Sequence, residues 1–591
     1  MSLRQLGLLT FFLLFIGGLL YAGICWWSIP VQLIPIKVIA PPASVAGGRD
    51  WFSEKGVEVG ILEKQDCGPF SGDFFMPQIL GSGVAAFDAD GDGRVDLFFP
   101  NCGGPKGAPN RLYLQTALDR FQLAPAGNGL DLTHYCTGVA IGDVNRDGKP
   151  DVLLAEYSGI QLLLNAGGGQ FRRCPSPSSM QNPDWATSCA IADLNGDQLP
   201  DLVVTNYVAF DPAWPCTGPS GLREFCPPSA FPGRMTRVFK NLGSKPGGDP
   251  TFEDVTSFSG LAELPGPGLG VVIADFGGSN LPDILVANDG KPNHLWINQG
   301  GFRFSEQALT RGLAYGGSGR AQAGMGIALG DFAGQGRIDV FMTHLAEETH
   351  GLWVQGEGGR FRERGAQLGV MRTHWRGTGF GTVAVDFNLD GRLDLALANG
   401  SVASDPQRTQ SQGVDLAEKW MAGYLQKNQL FQGQLNGQFE DLSPQITSLC
   451  DLPGIHRGMV SADLNADGRP DLIVTRLGQR PLILYNQSQN RGTALEFHDV
   501  NGHLQTGPIR LILPDGRERI LALGGSYLSA SEALVFIAPE VDLATNPGGV
   551  TVIWPRGERE QFVLSKEKPR QVVRFGQGKR ENPSTGQGAK P

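Results

Sequence analysis

Histidine is scarce in this chain, eight among 591 residues, and none belongs to a His-Glu-x-x-His or other tight metal motif. His344 and His350, on either side of Glu347 and Glu348, read as surface decoration of a repeat-derived loop. His134 beside Cys136 and His374 beside Trp375 precede strand-like segments, where they can line the central channel or one rim, or simply pack. There is no Cys-x-x-Cys-His haem attachment and no thiolate cluster at zinc spacing. The serines of Gly81-Ser82-Gly83 and Gly524-Gly525-Ser526 lack the strand–elbow–helix setting of an acyl-transfer nucleophile, and the glycine-rich stretches lack a phosphate-loop lysine. An enzyme therefore stays only as an alternative reading, with no residue to carry it. Basic residues are few, 49 against 59 acidic, and a formal charge of −10 argues against a nucleic-acid partner.

Long hydrophobic runs are confined to one place. Between Arg4 and Lys37 no side chain is charged, and the stretch from Leu6 to Val31 is apolar, with Trp26 and Trp27 near its outer end. About 20 such residues can cross a bilayer. Arg4 before the run and a large domain after it fit a membrane anchor with the domain outside the cytoplasm, periplasmic or at the cell surface. A cleaved signal and secretion is the alternative, although the small residues near Ser44 and Ala46 lie far downstream. Eight cysteines follow the run, an even number that suits an oxidising compartment. Cys216 and Cys226 bracket a compact Pro/Gly-rich loop and are the one disulfide candidate.

Glycine, by contrast, is abundant: 83 residues without a Gly-x-y period, which excludes collagen and points to frequent short turns. Seven of these turns are led by aspartate and lie between apolar, strand-like segments, opening at Asp88, Asp143, Asp193, Asp275, Asp331, Asp386 and Asp463. The spacings of 55, 50, 82, 56, 55 and 77 describe a unit of about fifty residues with insertions, the sequence form of a closed repeat array. The first loop reads Asp88-x-Asp90-x-Asp92-Gly93-x-x-Asp96. Calcium prefers six to eight oxygen ligands, and Asp88, Asp90, Asp92, the Arg94 carbonyl and Asp96 can supply them. Equivalent sets are Asp143, Asn145, Asp147, Lys149 and Asp151; Asp386, Asn388, Asp390, Arg392 and Asp394; and Asp463, Asn465, Asp467, Arg469 and Asp471. In the third loop Asp193, Asn195, Asp197 and Asp201 persist while Gln198 replaces glycine, so four sites are firm and one is possible. The fourth loop has Gly277 and Ser279, and the fifth Ala333 and Gln335, where middle acids should stand; both are expected to survive as turns with little or no calcium. Apolar strand sequence resumes by Phe99, so this is a strand–loop–strand clip and not a helix–loop–helix site.

Each loop sits inside the same order of strands. In the second repeat, Val139 and Ile141 lead into Asp143, and three further strand-like segments follow at residues 151–155, 160–164 and 170–173. A four-stranded sheet has too little core alone, and packing it against its neighbours around an axis buries both faces. The pattern predicts an all-β, seven-bladed β-propeller over 51–492, in which residues around 51–60 complete the last blade and close the ring. Residues 206–235 read as an irregular insertion. Residues 401–427 read as one holding a short amphipathic helix with Leu416, Trp420, Met421, Tyr424 and Leu425 on its apolar face. Residues 493–576 lack aspartate loops and read as a separate small β-sandwich-like unit docked to the ring. The remaining spans are an anchor or signal segment at 1–31, a linker at 32–50 and a disordered tail at 577–591.

The segments Gly81-Ser-Gly-Val-Ala-Ala-Phe-Asp88-Ala-Asp90-Gly-Asp92-Gly and Asn110-Arg-Leu-Tyr-Leu, repeated in degraded form, resemble FG-GAP/VCBS propeller proteins. Gly524-Gly-Ser-Tyr-Leu-Ser529 and Val552-Ile-Trp-Pro-Arg-Gly557 are similar to the ASPIC/UnbV end domain joined to some of them. The extracellular cartilage acidic protein family and integrin head propellers are relatives by this likeness. It implies calcium-supported extracellular recognition or adhesion, with a surface protein or glycan as partner, and carries over no catalytic residue. A scaffold within an envelope complex is the alternative.

Overall fold

The computed structural model describes residues 50–69, 72–175, 180–218, 221–244, 248–405, 419–539, 549–565 and 567–581. The anchor and linker readings lie outside the described residues, as does most of the helix expected within 401–427; among the described residues no helix is long and apolar enough to cross a membrane.

Seven antiparallel sheets repeat one plan. In the first, Ala85–Phe87 pairs with Asp96–Phe99, then Arg111–Ala117, then Arg120–Leu123. The innermost strands of successive sheets are Ala85–Phe87, Cys136–Gly142, Ala186–Ala192, Gly268–Ala274, Ile327–Gly330, Gly379–Val385 and His456–Ala462. Each touches the next, and the last touches the first, so the sheets form a closed β-propeller. The circuit is also hydrogen-bonded. Thr475 Oγ1 of the last sheet donates to the Ser82 carbonyl at 3.1 Å, and Gly83 N–H donates to the Thr137 carbonyl at 2.9 Å. The seventh sheet takes its outer strand from the start of the domain: Phe52–Glu54 pairs antiparallel with Leu482–Asn486, as the sequence suggested.

Strand sequences such as Asp96-Leu-Phe-Phe99 are apolar at consecutive positions because each sheet is buried on both faces. Leu97 enters the core shared with the seventh sheet, and Phe98 enters the core shared with the second. Seven such inter-sheet cores occur around the ring. A fully buried Leu or Phe contributes roughly 1.5–3 kcal/mol, so these cores hold the ring together.

The C-terminal residues form two sheets. Thr493–His498, Leu534–Ile537 and Arg570–Arg574 make one, and the other contains Ile509–Ile512, Glu518–Leu521, Val550–Ile553, Arg559–Phe562 and Lys579–Arg580. They share one apolar core, including Leu495, Leu511, Val552 and Trp554. Two expectations need correction. Residues 577–581, placed in the tail, belong to the fold, where the Glu581 carboxylate takes hydrogen bonds from Arg559, Gln561 and Thr551; the rest of the expected tail lies outside the described residues. Nor is the unit separate: ring and module form one compact body, and residues 523–532 leave the module to fill the ring's channel.

That segment bonds to all seven sheets. Leu523 and Gly524 pair with Ile273 and Val272. Ser526 exchanges backbone hydrogen bonds with Ile327, and its Oγ accepts from Thr382 N–H and donates to the Met459 carbonyl. Leu528 accepts from Val139 N–H and donates to Ser188 Oγ, while Ala530 exchanges with Val84 and Ala86. Ser526 and Leu528 hold φ of 53° and 55°, a left-handed conformation that side chains disfavour. The surrounding hydrogen bonds over-determine it. Gly83 is required where this backbone approaches: a Cβ there would lie 1.8 Å from the Leu528 carbonyl oxygen.

The expected helix is short, Lys419–Ala422, with Met421 and Tyr424 buried against Cys67, Cys102 and Leu477. His344 and His350 are not surface decoration. Both are buried, and burial lowers their pKa values to about 3 and about 4.

Candidate functional site

Every aspartate loop leaves the end of an innermost strand, so all seven lie on one face of the ring. In the first, Asp88 Oδ1 accepts N–H groups of Gly91 and Asp92 at 2.7 and 3.2 Å, and Oδ2 accepts Gly93 N–H at 2.8 Å. Asp96 Oδ2 accepts Ala89 N–H at 2.8 Å and Oδ1 accepts Gln115 N–H at 2.7 Å. The outer acids therefore fold the loop and tie it to the third strand. The same two roles recur where the middle acids are lost: Asp275 and Asp283 in the fourth loop, Asp331 and Asp339 in the fifth. Those two loops are present as turns. Backbone left-handedness falls at two loop positions, the glycine recognised in the sequence and also the fourth, where Arg146, Leu389 and Ala466 carry φ of 58°, 53° and 55°. Gln198 takes the sixth-position conformation without glycine, at φ 72°.

The loops bury their outer carboxylates and leave the middle ones nearer solvent. Burial pushes Asp96 and Asp151 up to about 7 and Asp201 to about 8, although backbone N–H groups pull each of them down. Asp386 and Asp463 are likewise raised by burial to about 7. In the first loop, carboxylate oxygens of Asp88, Asp90 and Asp96 lie within 4.8 Å of one another. Hard, clustered, anionic oxygens suit a hard divalent cation, so the donor set of the first loop fits calcium, with Asp92 and the Arg94 carbonyl adjacent. The second loop arranges Asp143, Asn145 and Asp147 in the same way, with Asp147 N–H bonded to both Asp143 and Asn145. The seventh does so with Asp463, Asn465 and Asp467, while in the third Asp197 N–H donates to Asn195 and Gln198 N–H to Asp193. The residues picked for their carbonyls bring a second feature: the side chains of Arg94, Lys149, Arg392 and Arg469 each pair with the loop's fifth-position aspartate.

A bridging set went unread in the sequence. Asn165 Nδ2 donates to the Ala89 carbonyl of the preceding sheet's loop at 3.0 Å and to the Pro150 carbonyl of its own at 3.1 Å. Asn241, Asn298 and Asn486 do the same for the loops at Asp143, Asp193 and Asp386. The signal was there, an asparagine recurring at the end of third strands, but it reads as a turn residue unless neighbouring loops are known to touch.

The C-terminal module covers this face. Arg146 pairs with Asp499 at 2.5 Å, Asp193 N–H donates to the Thr506 carbonyl, Glu518 N–H reaches Asp331, and Glu532 Oε2 accepts Asp463 N–H at 2.9 Å. A cavity of about 250 Å³ remains between ring and module, bordered by Asp88, Asp143, Glu496, Glu532 and Arg570. The other face carries different chemistry. Tyr135 and Trp185 precede innermost strands, and Tyr157 and Tyr207 follow second strands, so all four lie at the end away from the loops. With Phe75, Phe210 and Phe231 they form a chain of edge-to-face and tilted ring contacts 4.9–6.3 Å apart. Phe75, Tyr135, Tyr157, Phe210 and Phe231 are half-buried. Beside them His134 Nδ1 bonds the buried Glu156 at 2.9 Å, and Cys216 and Cys226 form the expected disulfide within the insertion. His374 instead contacts Asp441 at 3.3 Å.

The FG-GAP-like repeat family matches residues 88–154 and 143–204, the first two loops with their sheets and the third loop. The chain carries FG-GAP-like repeats. No curated protein matches it. Among solved structures, one of an Agrocybe aegerita lectin recognising non-reducing terminal N-acetylglucosamine is 15% identical, covering 61% of this chain and 79% of that one, with TM-score 0.34. YCF48 bound to a D1 peptide is 8% identical, covering 76% and 98%, with TM-score 0.39. The complex of BBS1N with ARL6DN is 10% identical, covering 75% and 99%, with TM-score 0.36.

Proposed function

We propose that this protein is a seven-bladed FG-GAP propeller, closed by an ASPIC/UnbV-like module, that recognises a surface protein or glycan with the face opposite its aspartate loops. The observation that carries this reading is the disposition of surfaces. The loop face is partly covered by the module and the channel is filled, whereas the other face presents half-buried aromatic rings beside the His134–Glu156 pair. Aromatic rings of this kind give large contact area at low entropic cost and are enriched where proteins bind partners. Calcium, in this reading, stiffens the strand turns and does not touch the ligand. The apolar N-terminal run tethers the propeller to a membrane, with the ring outside the cytoplasm.

The test is capture of surface proteins and glycan arrays by the intact protein, with Tyr157→Ala/Phe210→Ala and Asp92→Asn variants in parallel. The aromatic pair is expected to lose at least tenfold in affinity for whatever is captured, while Asp92→Asn keeps it. Retention by the aromatic variant, or loss by Asp92→Asn at unchanged thermal stability, would place recognition on the loops instead.

A further inference from the structure

Loop six matches the calcium pattern at Asp386, Asn388, Asp390, Arg392 and Asp394, yet the C-terminal module enters it on two sides. Leu389, lying between two ligand positions at φ 53°, is fully buried in the module's own apolar core. Arg519, whose side chain is 6% exposed, donates from Nη2 to the Gly391 carbonyl at 2.7 Å and lies 4.0 Å from Asp386 Oδ2. Arg517 reaches the same carbonyl while paired with Asp515. Within the loop, Arg392 Nη2 stands 2.6 Å from Asp390 Oδ2.

The charge balance separates this loop from the first and the seventh. Loop one sets the carboxylates of Asp88, Asp90, Asp92 and Asp96 against Arg94 alone. Loop six sets those of Asp386, Asp390 and Asp394 against both Arg392 and Arg519. At loop seven the module brings the opposite sign, since Glu532 stands over Asp463. Attraction for a divalent cation scales with the charge that faces it, and in a site with little water there is little screening to soften the difference.

We infer that Arg519 is the counter-ion of loop six, and that this loop takes no divalent cation while the module is seated. Five loops look alike in sequence, but the module has filled one of them. The inference rests on calcium binding at the other loops, so its test includes a control for that.

Calcium per protein is counted by equilibrium dialysis and elemental analysis on the full chain in detergent, for wild type, Asp386→Asn, Arg519→Gln and Asp90→Ala. Asp386→Asn is expected to leave the count unchanged, and Arg519→Gln to raise it by one. Loss of one ion in Asp386→Asn, or no gain in Arg519→Gln, overturns the inference. If Arg519→Gln fails to fold, Arg519→Met replaces it: the uncharged side chain of similar reach is expected to lift the exclusion and bring calcium in at millimolar concentration. Asp90→Ala should lose one ion; if it does not, the calcium reading of the first loop fails instead.

Discussion

The phenol of Tyr527 donates to the Leu80 carbonyl at 3.2 Å, although its segment enters the channel from the opposite, aspartate-loop face. The C-terminal segment thus spans the channel and returns, and the ring is folded around it. Gly83→Ala is expected to be severely destabilising, about 3 kcal/mol or more, because the new Cβ would meet the Leu528 carbonyl at 1.8 Å. Gly91→Ala, at φ 84° with no neighbour within 4 Å, should cost only about 1 kcal/mol of backbone strain. Urea midpoints of the two variants check the difference; equal losses would mean that the channel segment is not seated as described.

The acids within one loop should separate into two classes. Asp331 accepts N–H groups of Gln335 and Gly336 at 2.7 and 2.9 Å, in a loop that has lost its middle acids. Asp331→Ala is expected to lower stability by about 1 kcal/mol, the cost of two partly exposed turn hydrogen bonds, with calcium content unchanged. Asp90→Ala, at a position that folds less of its loop, should remove one calcium and leave the metal-free protein's midpoint nearly where it was. Elemental analysis and denaturation of both variants decide it.

The sequence carried the repeat because its period is imposed by chemistry: a tight turn needs its outer acids and left-handed residues in every sheet, even where Gly277 and Ala333 have replaced ligands. Closure through Phe52 was legible too, since an outer strand without a repeat before it must pair with a repeat lacking one. The channel segment was not legible. Gly524-Gly-Ser-Tyr-Leu-Ser529 has no periodicity, and its partners are groups of seven sheets that sequence reading cannot bring together. The same limit hid Arg519, a residue of an ordinary strand whose partner lies over 120 positions away. His344 and His350 misled for a related reason: polar side chains in a loop look exposed until the neighbouring sheet is placed over them.

Module seating should respond to acid through Glu496. Burial would raise its carboxyl, but hydrogen bonds from His498 and Arg570 outweigh burial and hold it at about 2, below its usual 4.5. Arg570 also bridges to Glu532, the residue standing over Asp463. Because the folded pKa lies below the unfolded one, the stabilisation is complete above about pH 4.5 and is lost as pH falls toward 2. A shift of this size corresponds to about 3 kcal/mol. The stability gap between wild type and Glu496→Gln is therefore expected to be largest near neutrality and to shrink below pH 4.5. A gap independent of pH would remove the charge from the explanation.

Ring closure offers the last prediction. Phe52 is 1% exposed, packs edge-to-face on Phe387 at 5.4 Å, and belongs to the strand that completes the seventh sheet. Phe52→Ala removes an aromatic side chain from the core between the sixth and seventh sheets and should cost about 3–5 kcal/mol. Because that strand joins the beginning of the ring to its end, the loss should appear as earlier hydrogen exchange in Leu482–Asn486, ahead of the other sheets. Uniform protection loss around the ring would argue that closure is carried by the channel segment, and that the outer strand contributes packing alone.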